Sequence, residues 1–174
     1  FADSPWGVEL AAESRRLDAT ILVGIVEDAP DDPDAFLNYV IAFEPDGSVD
    51  ARYDKERRVP FGEYVPMRPL FEPFAADVLP PRDQVPGVGS AAIRPTAGPF
   101  AVAISWEIFF SRRVREGVRD GGQVVLNPTN GSSYWLTQIQ SQQLATSALR
   151  AAASGRWVLQ AAPTGFPAVF AQDG

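Results

Sequence analysis

The sequence predicts a layered α/β domain, and three observations carry that expectation. Apolar runs of strand length recur between stretches with helical caps and glycine stops, in the order strand, helix, strand, helix, strand. The 174 residues suffice for one hydrophobic core, and 45% of them are apolar, a globular composition. No internal repeat, low-complexity tract or linker divides the chain.

The first helix is expected over "DSPWGVELAAESRRL", where Ser4 or Asp3 can cap, Pro5 suits the first turn, and Trp6, Leu10 and Leu17 fall near one face. "TILVGIV" (20–26) is apolar without alternation, which predicts a strand buried on both faces. "EDAPDDPD" (27–34) reads as a solvated loop. "NYVIAFE" and "VDARYD" flank "PDGS" (45–48), a strand–turn–strand signal with Asp46-Gly47 at the bend. Residues 60–99 hold 9 of the 16 prolines, a density at which regular structure is not expected to persist. A long irregular segment inside a compact domain is usually functional or mobile. Beyond it, "FAVAIS" predicts a strand, "SRRVREGVRDGG" a helix with a glycine stop, and "QVVLNP" a strand. "YWLTQIQSQQLATSALRAAASG" predicts a long helix ended by Gly155, and "RWVLQAA" and "PAVFA" predict the last strands.

Composition excludes several classes. A net charge of −7 repels phosphate backbones, so nucleic acid is not an expected partner. Cysteine is absent, which removes disulfides, zinc–thiolate sites and thiol nucleophiles. Histidine is also absent, so the aspartates of 27–34 have no imidazole to complete a transition-metal shell. "GVGS" (87–90) lacks the strand–loop–helix setting of a nucleotide site. No cofactor and no metal are expected. No apolar run approaches the ~18 residues that span a bilayer, and no signal peptide opens the chain. "FADSPWG" begins as though mid-domain, which suggests a piece of a longer protein.

Three segments could carry chemistry. In "RYDKERRVPFGEYVP" (52–66), Lys55 follows a strand pattern and Glu63 sits in a Gly-containing turn. In "FAVAISWEIFF" (100–110), Ser105, Trp106 and Glu107 interrupt an apolar run at a strand end. "LNPTNGSSYW" (126–135) is a Pro/Asn/Gly/Ser loop between a strand and a helix. Taken singly each is ordinary: a solvated lysine, a surface glutamate, a small core serine bonded to backbone, an Asn-Gly turn.

Taken together, "YDK…VPFGEYVP", "AISWE", "LNPTNGSSYW" and "LRAAASGRWVLQAAPTGFPAV", in that order, resemble the nitrilase (carbon–nitrogen hydrolase) superfamily. More closely they resemble the periplasmic domain of the apolipoprotein N-acyltransferases, and the "NPTNGSSYW" wording resembles actinobacterial members. The resemblance runs from about Gly24 to the end of the chain. It implies an α-β-β-α sandwich whose N-terminal part is absent here.

The resemblance also implies a Glu-Lys-Cys triad that moves a fatty acyl group from phospholipid to the N-terminal amine of a lipoprotein's diacylglyceryl cysteine, through an acyl-enzyme. On this chain the lysine falls on Lys55, a supporting glutamate on Glu63, another on Glu107, and the nucleophile on Ser105. The backbone N–H of Trp106 and the Lys55 ammonium would form the oxyanion hole. Glu107 would bond loop backbone or Lys55 and hold the pocket, while Asn130, Tyr134 and Trp135 would wall it. Lys55 and Ser105 are expected to meet at one cleft. Residues 64–95 resemble an arm reaching toward the bilayer, with Met67, Leu70, Phe71, Phe74, Val78 and Leu79 as an apolar lip. The implied setting is a monomeric cell-membrane enzyme whose catalytic domain lies on the extracytoplasmic side, held at the membrane surface by flanking segments not in this chain.

Two departures stand against the pattern. Serine replaces the family's cysteine at position 105, and admits three readings: an engineered change, a native slower nucleophile, or lost catalysis. The family's general-base glutamate, in a Trp-Pro-Glu type segment, has no counterpart; Glu9 and Glu13 lie on the first helix, outside that context. A nitrilase-type amidase and a non-catalytic binding domain are therefore the alternatives.

Overall fold

A computed structural model of the chain describes residues 1–134 and 137–174. It is a four-layer α-β-β-α sandwich. The outer helix α1 (Pro5–Leu17) covers a sheet made of β1 (Ile21–Ala29), β2 (Asp32–Phe43), β3 (Val49–Asp54) and the two-residue β4 (Asp83–Gln84). The second sheet runs β5 (Ala92–Ile93), β6 (Phe100–Val102), β7 (Val124–Pro128), β8 (Trp157–Ala161), β9 (Ala168–Phe170). It is covered by α3 (Ser111–Arg119) and α4 (Gln138–Ser154), numbered after the short α2 (Arg68–Ala75). Strands β6, β7 and β8 are parallel, joined by right-sized helical crossovers, while β5 and β9 close the edges antiparallel.

Three apolar layers hold the sandwich together. Val40, Tyr53, Ile93, Val102, Ile104 and Leu126 fill the space between the sheets. Ala101, Ala103, Ile108, Val125 and Val158 pack the second sheet against Val114 of α3 and Ala151 of α4. Ile25, Tyr39, Ile41 and Phe43 pack the first sheet under Leu10 and Ala11. Small residues let α3 approach closely: a Cβ on Gly117 would lie 2.7 Å from the Ala101 Cβ and 2.9 Å from the Ala91 carbonyl oxygen. We expect Gly117→Ala to destabilise the fold by about 1–3 kcal/mol, overpacking outweighing the helix propensity gained. A urea midpoint at or above that of the wild type would contradict this close packing.

Several expectations are corrected here. Ser4 caps α1 by accepting from Gly7 N–H at 3.2 Å, but the buried face carries Gly7 and Ser14, while Trp6 and Leu17 are exposed. The close approach of α1 to the chain before it admits no side chain at Gly7. Strand β1 is not buried on both faces; it pairs only with β2, and Val26 is exposed beside buried Ile25. The acidic stretch 27–34 is not a loop throughout, because β1 continues to Ala29 and β2 starts at Asp32, leaving a tight turn. Backbone pairing there overrides the low strand propensity of aspartate.

Regular structure does occur within 60–99. Helix α2 tolerates Pro69 in its first turn, and the carbonyl that Pro73 leaves without a donor is that of Pro69, four residues back. Met67, Leu70, Phe74 and Val78 are exposed; Phe71 and Leu79 are half-buried, and Phe71 meets Phe61 edge-on at 5.6 Å. The last helix starts later than expected. Tyr134 belongs to a separate 3-10 turn, Ser132–Tyr134, and α4 begins after Thr137, ending at Gly155 in the left-handed region. Trp135 lies outside the described residues. No described helix is long and apolar enough to cross a membrane.

Candidate active site

Two neighbouring clusters form at the ends of β3, β6 and β7. The first is built around Lys55, the residue after β3. Its backbone N–H continues the ladder to Asn38 of β2 at 2.9 Å, which carries its side chain inward until only 1% remains exposed. The ammonium donates to Glu63 Oε1 at 2.5 Å. Glu63 is held in turn by Val59 N–H on its other oxygen, at 2.8 Å, so the turn "VPFGE" is the cradle that aims the carboxylate. Gln84 donates to the Lys55 carbonyl at 2.9 Å and fixes the backbone.

The second cluster starts where β6 ends. Ser105 has φ of +51°, a left-handed conformation that costs a non-glycine residue on the order of 1 kcal/mol. This bend turns the chain into a 3-10 turn, Ser105–Phe109, and places the Ser105 hydroxyl in a cleft of about 360 Å³. Leu22 to Val26 of β1 form one wall of the cleft, with Asn38, Ile104, Pro128 and Asn130 on others. Thr129 donates to Ser105 Oγ at 3.0 Å, and its own hydroxyl lies 3.1 Å from that of Tyr134 and accepts from Gln143 at 3.1 Å. Trp106 N–H sits in the first turn of the 3-10 segment, where backbone donors have no intrahelical acceptor.

Glu107 joins the clusters. It is fully buried and receives four hydrogen bonds. One oxygen accepts from Glu56 N–H and Arg57 N–H, both at 2.9 Å, and the other from Ile104 N–H and the Tyr53 hydroxyl, both at 2.8 Å. Its donors therefore flank both Lys55 and Ser105 in the chain. Burial pushes the Glu107 carboxyl up, and the bonds from Arg57, Tyr53 and Ile104 pull against that rise. Tyr53 is raised far above the ordinary phenol range, first by burial and then by the Glu107 charge. Arg113, almost fully buried, donates to the Tyr53 oxygen at 3.0 Å and pairs with Glu56 at 2.8 Å, closing a ring around the Lys55 loop.

The structure thus brings Lys55, Glu63 and Glu107 to one region. Among the described residues the Lys55 ammonium bonds Glu63 and not Ser105, whose hydroxyl faces Thr129. Asn130 lines the Ser105 cleft, but its carboxamide oxygen accepts from Ser132 N–H at 3.0 Å and from the Thr164 hydroxyl at 2.5 Å, so it shapes the loop. Tyr134 reaches Ser105 through Thr129. Sequence reasoning missed Tyr53, Arg113, Thr129 and Gln143. Thr129 lies inside the loop already singled out, and Gln140, Gln143 and Ser147 recur at helical spacing, a polar stripe where apolar residues belong. Tyr53 and Arg113 gave no signal, because they are 60 residues apart. No group of histidine, cysteine or carboxylate side chains able to hold a metal forms among the described residues.

Comparison with known proteins gives consistent matches. Residues 5–173 match the carbon-nitrogen hydrolase family. The chain is 38% identical to an apolipoprotein N-acyltransferase of Mycolicibacterium smegmatis over 99% of its own length and 29% of that protein's. It is 31% identical to an apolipoprotein N-acyltransferase of Synechocystis sp., over 78% of the chain and 26% of the relative. The chain therefore spans less than a third of these relatives. Among solved structures, a carbon-nitrogen hydrolase of Helicobacter pylori superposes with a TM-score of 0.69 at 15% identity, covering 95% of this chain and 59% of that one. The C. elegans NitFhit protein gives 0.72 at 15% identity, over 99% and 42%. These two likenesses show a shared fold.

Proposed function

The chain belongs to the carbon-nitrogen hydrolase family, and on that premise we propose that it is the acyl-handling domain of an enzyme that transfers a fatty acyl group from phospholipid to the N-terminal amine of a lipoprotein's diacylglyceryl cysteine. The observation that carries the reading is Glu107, whose two oxygens tie the backbone beside Lys55 to the backbone beside Ser105. The 38% identical relative is named an apolipoprotein N-acyltransferase.

In the proposed reaction Ser105 Oγ attacks the ester carbonyl of the lipid. The hydroxyl proton passes to a carboxylate that the family resemblance places outside residues 1–174. The tetrahedral oxyanion takes hydrogen bonds from Trp106 N–H and the Lys55 ammonium. Collapse breaks the lipid C–O bond, the lysolipid alkoxide leaves with a proton, and the acyl group stays on Oγ. The lipoprotein amine then attacks that ester, forms the amide, and returns the proton to Oγ. Glu63 holds the Lys55 side chain in its aim. In this reading Met67, Leu70, Phe74 and Val78 of the 64–95 arm form a lip that touches lipid at a membrane surface, which their exposure supports. Asn130 and Tyr134 shape the acyl pocket through Thr129 and Thr164.

Serine at 105 makes the nucleophile the weakest part of the machinery, since a thiol is far more easily ionised than a hydroxyl. In the full-length protein we expect Ser105→Cys to raise acyl-enzyme formation roughly tenfold or more, read as a covalent mass adduct after incubation with phospholipid vesicles. No adduct and no transfer from either protein would favour a binding domain. Turnover of small soluble amides without lipid would defeat the acyltransferase reading.

A further inference from the structure

The Trp106 ring walls a second cavity, of about 300 Å³, which shares no lining residue with the Ser105 cleft. Ser105 and Trp106, adjacent in the chain, line one each. The second cavity is built from the loop after Lys55 and the end of the 3-10 turn. Arg57 and Arg58 line it with Tyr64 and Phe110. The Arg57 guanidinium lies 4.1 Å over the Phe110 ring, and that of Arg58 lies 4.1 Å over the Tyr64 ring. Trp106 packs on Phe110 at 5.7 Å, which backs the first of these stacks.

Stacking on an aromatic face restrains a guanidinium and leaves its N–H edge free to donate. Arg58 spends one donor on the Gln84 carbonyl at 3.0 Å. Among the described residues neither arginine has a carboxylate within 4 Å. Glu56 also lines the cavity, but Arg113 holds its carboxylate at 2.8 Å and offsets its charge. Two adjacent cations without carboxylate partners, pinned on rings, stand out in a chain of net charge −7. Such an edge pair suits the paired oxygens of a phosphodiester, and Trp106 and Phe110 offer an apolar wall beside it.

We propose that this cavity binds the phosphodiester of a glycerophospholipid, the headgroup side of the acyl donor, with Trp106 as the partition across which the acyl ester enters the Ser105 cleft. The proposal rests on the acyl-transfer reading of that cleft. Free phosphate shares the recognised chemistry, and the diester with its glycerol is the ligand the aromatic wall favours.

Isothermal titration of the full-length protein with dihexanoylphosphatidylglycerol, with inorganic phosphate and with uncharged dihexanoylglycerol tests it. In the Arg57→Gln/Arg58→Gln double variant, binding of the phospholipid is expected to weaken by on the order of tenfold, and binding of the uncharged lipid to stay as it was. Arg57→Lys/Arg58→Lys, which keeps the charge, is expected to recover part of the loss. An unchanged phospholipid Kd in the glutamine variant, with folding verified by circular dichroism, overturns the proposal. Wild-type affinity for inorganic phosphate equal to that for the phospholipid overturns the assignment of the lipid donor. Acyl transfer separates the two readings: the glutamine variant should raise the KM for phospholipid rather than lower kcat. Normal transfer with an unaltered KM removes this subsite and leaves the acyltransferase; arginine-dependent binding without any acyl transfer does the reverse.

Discussion

Replacing Lys55 by methionine is expected to lower acyl-enzyme formation by about 100- to 1,000-fold, the usual loss when one donor to a developing oxyanion is removed. Methionine keeps the apolar stem that fills the space at 1% exposure and deletes only the charged head. The loss therefore falls on chemistry more than on packing. It also leaves Glu63 with Val59 N–H as its remaining partner. Glu63 keeps 18% of its side-chain surface, so water can reach it, and the cost in stability should be about 1–3 kcal/mol rather than that of a sealed charge. The double variant Lys55→Met/Glu63→Gln separates the two effects. Its thermal midpoint should recover while acyl-enzyme, trapped with hydroxylamine and counted by mass, stays low. A Lys55→Met protein that acylates within a few-fold of wild type removes Lys55 from the reaction.

Glu107→Ala should be the most damaging single change to the fold, by on the order of 4–5 kcal/mol, a large share of an ordinary domain's stability. The substitution opens a cavity at a fully buried site and strands four donors at once: three backbone N–H groups and the Tyr53 hydroxyl. Each buried donor without a partner costs about 1–3 kcal/mol, less where water enters the space. Glu107→Gln should cost about half as much, because its amide oxygen still serves one pair of donors while its NH2 confronts the other. Tyr53→Phe removes one of the four donors to Glu107 and the acceptor of Arg113, strands no backbone N–H, and should cost least. Urea unfolding ranks the three. An alanine variant within 1 kcal/mol of wild type would mean that Glu107 does not hold the Lys55 loop to the Ser105 turn.

Much of the fold was readable along the chain. The helix stops at Gly121 and Gly155, the hairpin at Asp46-Gly47 and the strand–helix order from β6 to β8 follow from local signals, because caps, turns and apolar periods act over a few residues. The failures share one cause. β1 looked doubly buried from its apolar run, but burial depends on which strand lies beside it. Trp6 and Leu17 looked like the buried face of α1, yet the buried positions are the small residues Gly7 and Ser14, and Gly7 is held against the backbone of Phe1 and Ala2. In the proline-rich stretch, helix α2 persists because Pro69 sits in its first turn, where no donor is missed, and Pro73 costs it only the bond to the Pro69 carbonyl.

The sequence by itself determined the family resemblance, the order of elements and the candidate residues Lys55, Glu63, Ser105 and Glu107, since these are properties of residue type and spacing. Only the tertiary structure decided what each side chain meets. It gave Lys55 to Glu63, Ser105 to Thr129, and both neighbouring backbones to Glu107. It also brought Arg113 to Tyr53 and set Arg57 and Arg58 against aromatic rings. The reason is physical. Hydrogen bonds and charge pairs act over a few ångströms of space, and chain folding brings residues that near from as few as 8 and as many as 60 positions away.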